Sequence, residues 1–449
     1  MSAILARSYW SASTFLKARG ERKLPYRPLT EILAGQSRRV QTMVAHAHAT
    51  VPHYRDAMRE RGLRPADLRT ADSLAALPLI SGRELAEAPQ RFYSSRYDEA
   101  TTLTLHSSGT NGRAKAVRYD PAALFEALAH GQRQRAVLTH FTGKLTAYRE
   151  MSVIRAESVS TQMRRFYETH AWVPRSLDVQ RRVLPLELPF DEMVRRINDF
   201  RPDLLAGYGS HLGALLRWAW ENGCELHRPC AVWYGADAMP QADRELIEMQ
   251  LGVPVISTYQ ADEALRIGFQ CELRLGFHLS LDDVAVRVVK PDGSPAGPGE
   301  QGEIVISNLS NRATVLLNYR LGDVVTMPTA PCACGRTLPT IERIAGRADD
   351  MVLLPDGQSR HSLLFMAPMH AVPGVVQVQL VQESLATLSV LVVCDPGGDW
   401  PSIKNLVEQV ARRLLGEGLA VRASRVAEIP RETSGKTRAV ISYCRQAHD

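Results

Sequence analysis

Cysteine is scarce in this chain. Seven residues scattered through 449 cannot make a disulfide framework, and the start, MSAILARSYWSASTFLKARG, lacks the apolar core of a secretion signal. The cysteines are therefore expected as thiols or metal ligands in a reducing, cytoplasmic compartment. No run approaches 18 consecutive apolar residues, so no membrane span is expected. Repeats and low-complexity segments are missing. Neither sign of charge dominates, with Lys+Arg 54 against Asp+Glu 48, a net +6. That mild excess suits anionic ligands such as nucleotides without demanding them. The Arg-rich stretch 164–183 carries no nucleic-acid motif and reads as an ion-paired surface.

What is present is ordinary globular composition, 45% hydrophobic and 23% charged, in a chain long enough for two or three domains. Residues 1–95 have helix-period apolar positions, beginning with an amphipathic helix. From about 100, strands alternate with helices. DEMVRRINDF (191–200) reads as a helix and PDLLAGYG (202–209) as a buried strand. SHLGALLRWAWENG reads as a helix with Ser210 as N-cap and Gly223 at its end. CAVWYGADAMP (230–240) is a second strand and QADRELIEMQLG another helix. This alternation predicts a mainly parallel twisted sheet, with ligands at the carboxyl ends of its strands. After 280 the short β runs and Gly/Pro turns suit a small barrel or antiparallel sheet. A boundary falls near IAGRADDMVLL (344–354), and the last hundred residues read as a compact unit of strands and helix, with RASRVAEIP as one strand.

The loop HSSGTNGRAKAV (106–117) combines hydroxyls, glycines and a lysine directly after a β run. Hydroxyls, glycine-freed backbone N–H groups and an ammonium together make an anion cradle. The spacing is not that of the P-loop.

SSGTNGRAK resembles the phosphate loop of the adenylate-forming superfamily, which contains acyl-CoA ligases, peptide-synthetase adenylation domains and luciferases. Further segments resemble its motifs in order: YQADE (259–263), YRLGDV (319–324), GRADDMV (346–352) and SGKTRAV (434–440). RPDLLAGYGSHL, CACGRTLPTIERIAGRADD and the S-G-K-T-R ending are similar to the phenylacetate–CoA ligase branch.

The resemblance implies an α/β fold: a large N-terminal domain, 1–346, of mainly parallel sheets flanked by helices with a small β-barrel-like subdomain, and a small mobile α+β C-terminal domain, 347–449. It implies ATP-dependent, AMP-forming activation of a small or aromatic carboxylic acid, then transfer to coenzyme A. A separate carrier protein's phosphopantetheine or an amine is the alternative acceptor, and an inactive nucleotide-binding regulator is the non-enzyme alternative. Neither nucleic acid nor membrane is expected as a partner; a homodimer is among the assemblies allowed.

Residue by residue, the resemblance assigns Ser107, Ser108, Gly109, Thr110, Gly112 and Lys115 to the phosphates of ATP. Tyr259, Gly235, Ala236 and Asp237 border the adenine, Glu263 ligates Mg²⁺, Asp323 takes the ribose hydroxyls and Arg347 the ribose or a nearby phosphate. Asp349 marks the hinge and Lys436 is the catalytic ammonium. Asn111, Ala114 and Gln260 depart from the family's usual Thr, Pro and Gly. Tyr208, His211 and Tyr234 are candidates for the acyl pocket.

Cys271, His278, Cys332 and Cys334 form C-x6-H and C-x-C pairs. Three thiolates and an imidazole suit tetrahedral Zn²⁺. Buried thiols with a surface His fit the same spacing; resemblance to branch members with a metal there favours structural zinc. Cys224, Cys230, Cys394 and Cys444 are expected to act as small apolar residues.

Overall fold

A computed structural model describes residues 3–107, 115–172, 180–290, 292–347, 351–356, 359–361, 363–395, 397–416, 418–430 and 437–444. The first ninety residues are largely helical: α1 (Ala3–Glu21), α2 (Leu29–Thr50), α3 (Pro52–Glu60) and the short α4 (Gly82–Glu87). Helix α1 docks through Trp10, whose ring stacks on Phe125 at 4.9 Å, and leaves Ile4, Leu5, Tyr9, Phe15 and Leu16 exposed. A hairpin follows, β1 (Leu103–Ser107) with β2 (Lys115–Tyr119). Helix α5 (Pro121–Thr142) starts on Asp120, which caps the Ala123 N–H at 3.1 Å, with Pro121 at the first turn, and ends on left-handed Gly143.

The main sheet has eight strands. β3 (Arg149–Ile154), β4 (Gln180–Pro185), β5 (Leu204–Tyr208), β6 (Ala231–Gly235) and β7 (Val255–Tyr259) are parallel, in the order β7-β6-β5-β3-β4. The crossovers are α6 (Val159–His170), α7 (Phe190–Phe200), α8 (Gly209–Glu221) and α9 (Gln241–Glu245), which continues as a π turn over Leu246–Gln250. Strands covered on both faces are buried along their whole length, and all five residues of β7 are, Ser257 and Thr258 included. Beyond β7 the sheet turns antiparallel through β8 (Gly268–Phe269), β9 (Phe277–Leu279) and β13 (Thr340–Ile341).

The barrel-like unit expected after residue 280 is an open four-stranded antiparallel sheet: β10 (Val284–Val289), β11 (Gln301–Asn308), β12 (Tyr319–Thr326) and β14 (Arg343–Arg347). Arg347 is the last residue of β14, paired in register with Asp323 of β12.

The C-terminal unit holds the hairpin β15 (Met351–Leu353) with β16 (Ser359–His361), α10 (Leu363–His370), β17 (Val375–Ser384), β18 (Thr387–Cys394), α11 (Trp400–Leu415), β19 (Ala420–Arg425) and β20 (Val440–Ser442). Its apolar cluster draws only on residues 352–440, so it has a core of its own. It lies beside α9, where Asp395 adds its charge to the surroundings of buried Asp243. The segment RASRVAEIP leaves the strand at Arg425.

Two local expectations are corrected. Ser210 is not the N-cap of α8. The helix begins one residue earlier, at Gly209, and the Ser210 hydroxyl and N–H both donate to Asp237, 27 residues on, the N–H at 3.3 Å. Cys230 is exposed, not a small core residue; it opens the turn into β6, donating its N–H to the Asp203 carbonyl at 2.8 Å. No helix among the described residues is long and apolar enough to cross a membrane.

Candidate active site

The chemistry-bearing segments converge where the end of β7 meets β2 and β12. Lys115, the first residue of β2, sends its ammonium onto the Glu263 carboxylate and lies 3.3 Å from the Tyr319 hydroxyl, which itself donates to Glu263 at 2.9 Å. Glu263 is 3% exposed. Burial works against its charge, but Lys115 and the hydrogen bonds from Lys115 and Tyr319 outweigh it and hold the carboxyl below its ordinary range. The backbone around it is pinned: Asn308 Nδ2 donates to the Glu263 carbonyl at 3.0 Å and the Tyr119 hydroxyl to that of Asp262 at 2.7 Å.

A second cluster gathers on Asp323. Its Oδ2 accepts from the Tyr259 hydroxyl at 2.7 Å and its Oδ1 from Arg347 Nη1 at 2.9 Å. Burial, then the adjacent Asp323 charge, pushes the Tyr259 phenol well up, so it stays a donor. Gly322 makes the arrangement possible. Its φ is +84°, and a Cβ there would stand 2.7 Å from Arg347 Nη2.

The β6 end supplies Gly235, Ala236 and Asp237. Ala236 has φ +70°, a costly conformation for a residue with a Cβ. A Cβ on Gly235 would come 3.2 Å from Thr258 Oγ1. The turn is thus pressed against β7 while Asp237 holds the start of α8.

Tyr208, His211 and Tyr234 are all nearly buried and sit together on β5, α8 and β6. Tyr234 packs against Gly209, and His211 makes an edge contact with Phe190 at 5.4 Å between ring centres. None lines the polar cleft that opens beside Tyr259, bounded by Gln134, Arg266, Thr258 and Gln260. Tyr319 and the cleft's Arg266 and Gln134 were missed in the sequence. The motif's leading tyrosine is a signal for the first; nothing local marks the others.

Of the phosphate loop, Ser107 is placed by its backbone opposite Lys115. Ser108, Gly109, Thr110 and Gly112 lie outside the described residues, as do Asp349 and Lys436. In the Arg-rich stretch Arg165 pairs with Glu157 and Arg181 with Glu150, both at 3.1 Å, while Arg182 lies over the Phe200 ring.

Away from this site, Cys271, His278, Cys332 and Cys334 bring four ligand atoms within 4.8 Å of one another. Cys271 and Cys332 sulfurs are 3.6 Å apart, and Cys334 Sγ is 3.3 Å from His278 Nε2. The other ring nitrogen, Nδ1, faces the Leu338 carbonyl at 3.0 Å, which directs Nε2 inward. Tetrahedral donors around a cation at about 2.0–2.3 Å stand at such separations. The donor set fits zinc.

Comparison with known proteins bears on both units. The CapK C-terminal domain family matches residues 354–443. The phenylacetate-coenzyme A ligase of Thermus thermophilus is 28% identical over 384 residues, covering 80% of each chain. The chain is a homologue of phenylacetate–CoA ligases. The phenylacetate-coenzyme A ligase of Escherichia coli is 25% identical to this homologue over 350 residues, 72% of this chain and 73% of that one. A crystal structure of 2-hydroxyisobutyryl-CoA ligase in the postadenylation state superposes with a TM-score of 0.72 over 94% of this chain and 91% of its own, at 17% identity. The homologue therefore shares the fold of that ligase.

Proposed function

We propose that this protein activates a carboxylic acid with ATP and passes the acyl group to coenzyme A. A carboxylate oxygen attacks the α-phosphorus, the bond to the β-phosphate oxygen breaks and pyrophosphate leaves. The CoA sulfur, losing its proton, then attacks the acyl carbon and AMP leaves. Such chemistry asks a protein mainly to orient reactants and neutralise charge.

The observation that carries this reading is the convergence of Lys115, Glu263, Tyr319, Tyr259, Asp323 and Arg347, from four separated segments, at the end of one parallel strand. In this reading Lys115 leaves Glu263 for the β- and γ-phosphates, together with the 107–112 loop. The freed Glu263 would hold Mg²⁺, which neutralises phosphate charge when bound. Asp323, oriented by Tyr259 and Arg347, accepts the ribose hydroxyls. Lys436 bridges the acid carboxylate and the α-phosphate, delivered by a C-terminal unit that turns about Asp349 and begins near residue 347. Cys271, His278, Cys332 and Cys334 would hold a structural zinc with no position left for substrate. The compartment proposed is the cytoplasm.

The test is acid-dependent ATP–pyrophosphate exchange, followed by AMP release with CoA and mass spectrometry of the product. A thioester formed at the expense of ATP is expected. Exchange with no acid, or exchange undiminished in Lys436→Ala, would overturn the reading.

A further inference from the structure

Helix α1 carries its apolar side outward. Ile4, Leu5, Tyr9, Ala12, Phe15 and Leu16 recur at helical spacing on the solvent face. The five large ones are each between 57% and 68% exposed. The polar groups turn to the body instead. Arg7 Nη2 donates to the Glu168 and Ala171 carbonyls at 3.0 and 3.1 Å, Lys17 lies 3.6 Å from Glu126, and Glu21 accepts from Arg133 at 2.7 Å. A surface helix normally does the reverse. Single exposed apolar residues are ordinary, but a patch of them along one helix marks an interaction surface.

The pattern indicates what covers it. Leu5, Tyr9, Ala12 and Leu16 follow steps of four, three and four, the seam along which one helix packs on another. Ile4 and Phe15 widen the seam along one flank. It is nearly symmetrical about Ala12, whose small side chain permits close approach. Turned end for end about that point, Tyr9 meets the partner's Phe15 and Leu16, and the aliphatic stem of Arg19 covers the partner's Leu5. At roughly 100 Å² for each bare side chain, the patch offers about 500 Å² per copy and about 1,000 Å² per pair, enough for a specific interface.

Charge favours the same occupant. The cations of α1 are Arg7, Lys17 and Arg19. The first two are engaged with the body, which leaves Arg19 on the outward face, its guanidinium 5.8 Å from the centre of the Phe15 ring. One cation is too few to hold the helix on an anionic membrane. In an antiparallel pair the two Arg19 positions stand about 20 Å apart, whereas a parallel pair would set them side by side.

We propose that a second copy of this chain covers this face. Two α1 helices pair antiparallel about a two-fold axis at Ala12, and the protein is a homodimer.

The experiment measures the mass of the full chain by light scattering and sedimentation over a concentration series, beside Leu16→Glu and Tyr9→Lys. Both positions are exposed, so both variants should fold, with far-UV circular dichroism as the check; if one does not, the other decides. Wild type is expected at twice the chain's mass, with a dissociation constant of about 10 µM or below. Either substitution should raise that constant by about 100-fold or more. Ala12→Cys, treated with glutathione disulfide, should give a covalent dimer that wild type and Arg19→Cys do not. A wild-type monomer up to about 100 µM overturns the inference, as does a dimer that both substitutions leave intact. A dimer that they dissolve but that Ala12→Cys does not cross-link overturns the antiparallel pairing at Ala12. A monomer that binds vesicles of phosphatidylcholine and phosphatidylserine in equal parts, and loses that binding in Leu16→Glu, assigns the face to a membrane and overturns it too.

Discussion

Lys115 and Glu263, 148 residues apart, neutralise each other in the floor of the candidate site, with the Tyr319 hydroxyl touching both. The pair keeps a buried carboxylate charged and ready, because removing either partner leaves the other alone in a low-dielectric setting.

Glu263→Gln is therefore expected to lower pyrophosphate exchange by at least about 100-fold while keeping the fold. Tyr319→Phe removes only the bridging hydroxyl and should cost about tenfold or less. Steady-state exchange kinetics with far-UV circular dichroism as the folding control checks both.

Asp323→Asn keeps the shape but loses the charge that Arg347 and Tyr259 orient. Its effect should fall on ATP, with KM up by about tenfold or more and a smaller change in kcat. Gly322→Ala should reproduce the defect without touching a polar group, since its Cβ collides with Arg347 and φ +84° strains any other residue. A stability loss of about 1–3 kcal/mol accompanies it, measurable by urea unfolding.

These segments were legible in the sequence because each is short and ordered along the chain, and the strand-helix alternation foretold the parallel strands. Their partners were not. Gln134 sits mid-helix in a stretch with no motif, and Arg266 meets it across 132 residues. The same blindness produced the Ser210 error. A serine before an apolar helical run reads as a cap, but the residue that holds this helix start is Asp237, on the neighbouring strand's turn. Cys230 was misjudged because its strand begins one residue later, at Ala231.

The buried network of Glu21, Glu126, His130, Arg133, Asp282 and Asp283, with Arg39 at its edge, makes stability depend on pH in both directions. Burial opposes charge on His130, Arg133, Asp282 and Asp283. In Asp282, Arg133 outweighs it, and in Asp283, His130 does, so both carboxyls titrate below their ordinary value. Their contribution is present above about pH 4 and is lost as pH falls through the folded values. His130 is raised because Asp283 overcomes the burial penalty. Its contribution is complete below about pH 6.5 and is lost as pH rises through the folded value. Thermal unfolding across pH should show a plateau between these limits, and His130→Gln should remove the decline on the alkaline side.

Purified protein is expected to carry about one zinc per chain, and Cys332→Ser to lose it. Chelation should lower Tm by about 5 °C or more without abolishing exchange at low temperature, since all four ligand positions would be occupied by protein. Metal analysis and calorimetry decide this.

Asp243 lies buried beneath α8, ion-paired with Arg217 at 2.9 Å, and its pKa is pushed up to about 6. Burial is the largest cause, but part of the push comes from Asp395 in the other unit. If the small unit turns as proposed, that part would vanish and the carboxyl would become more acidic. The protonation of this one buried group would then differ between the two arrangements of the halves.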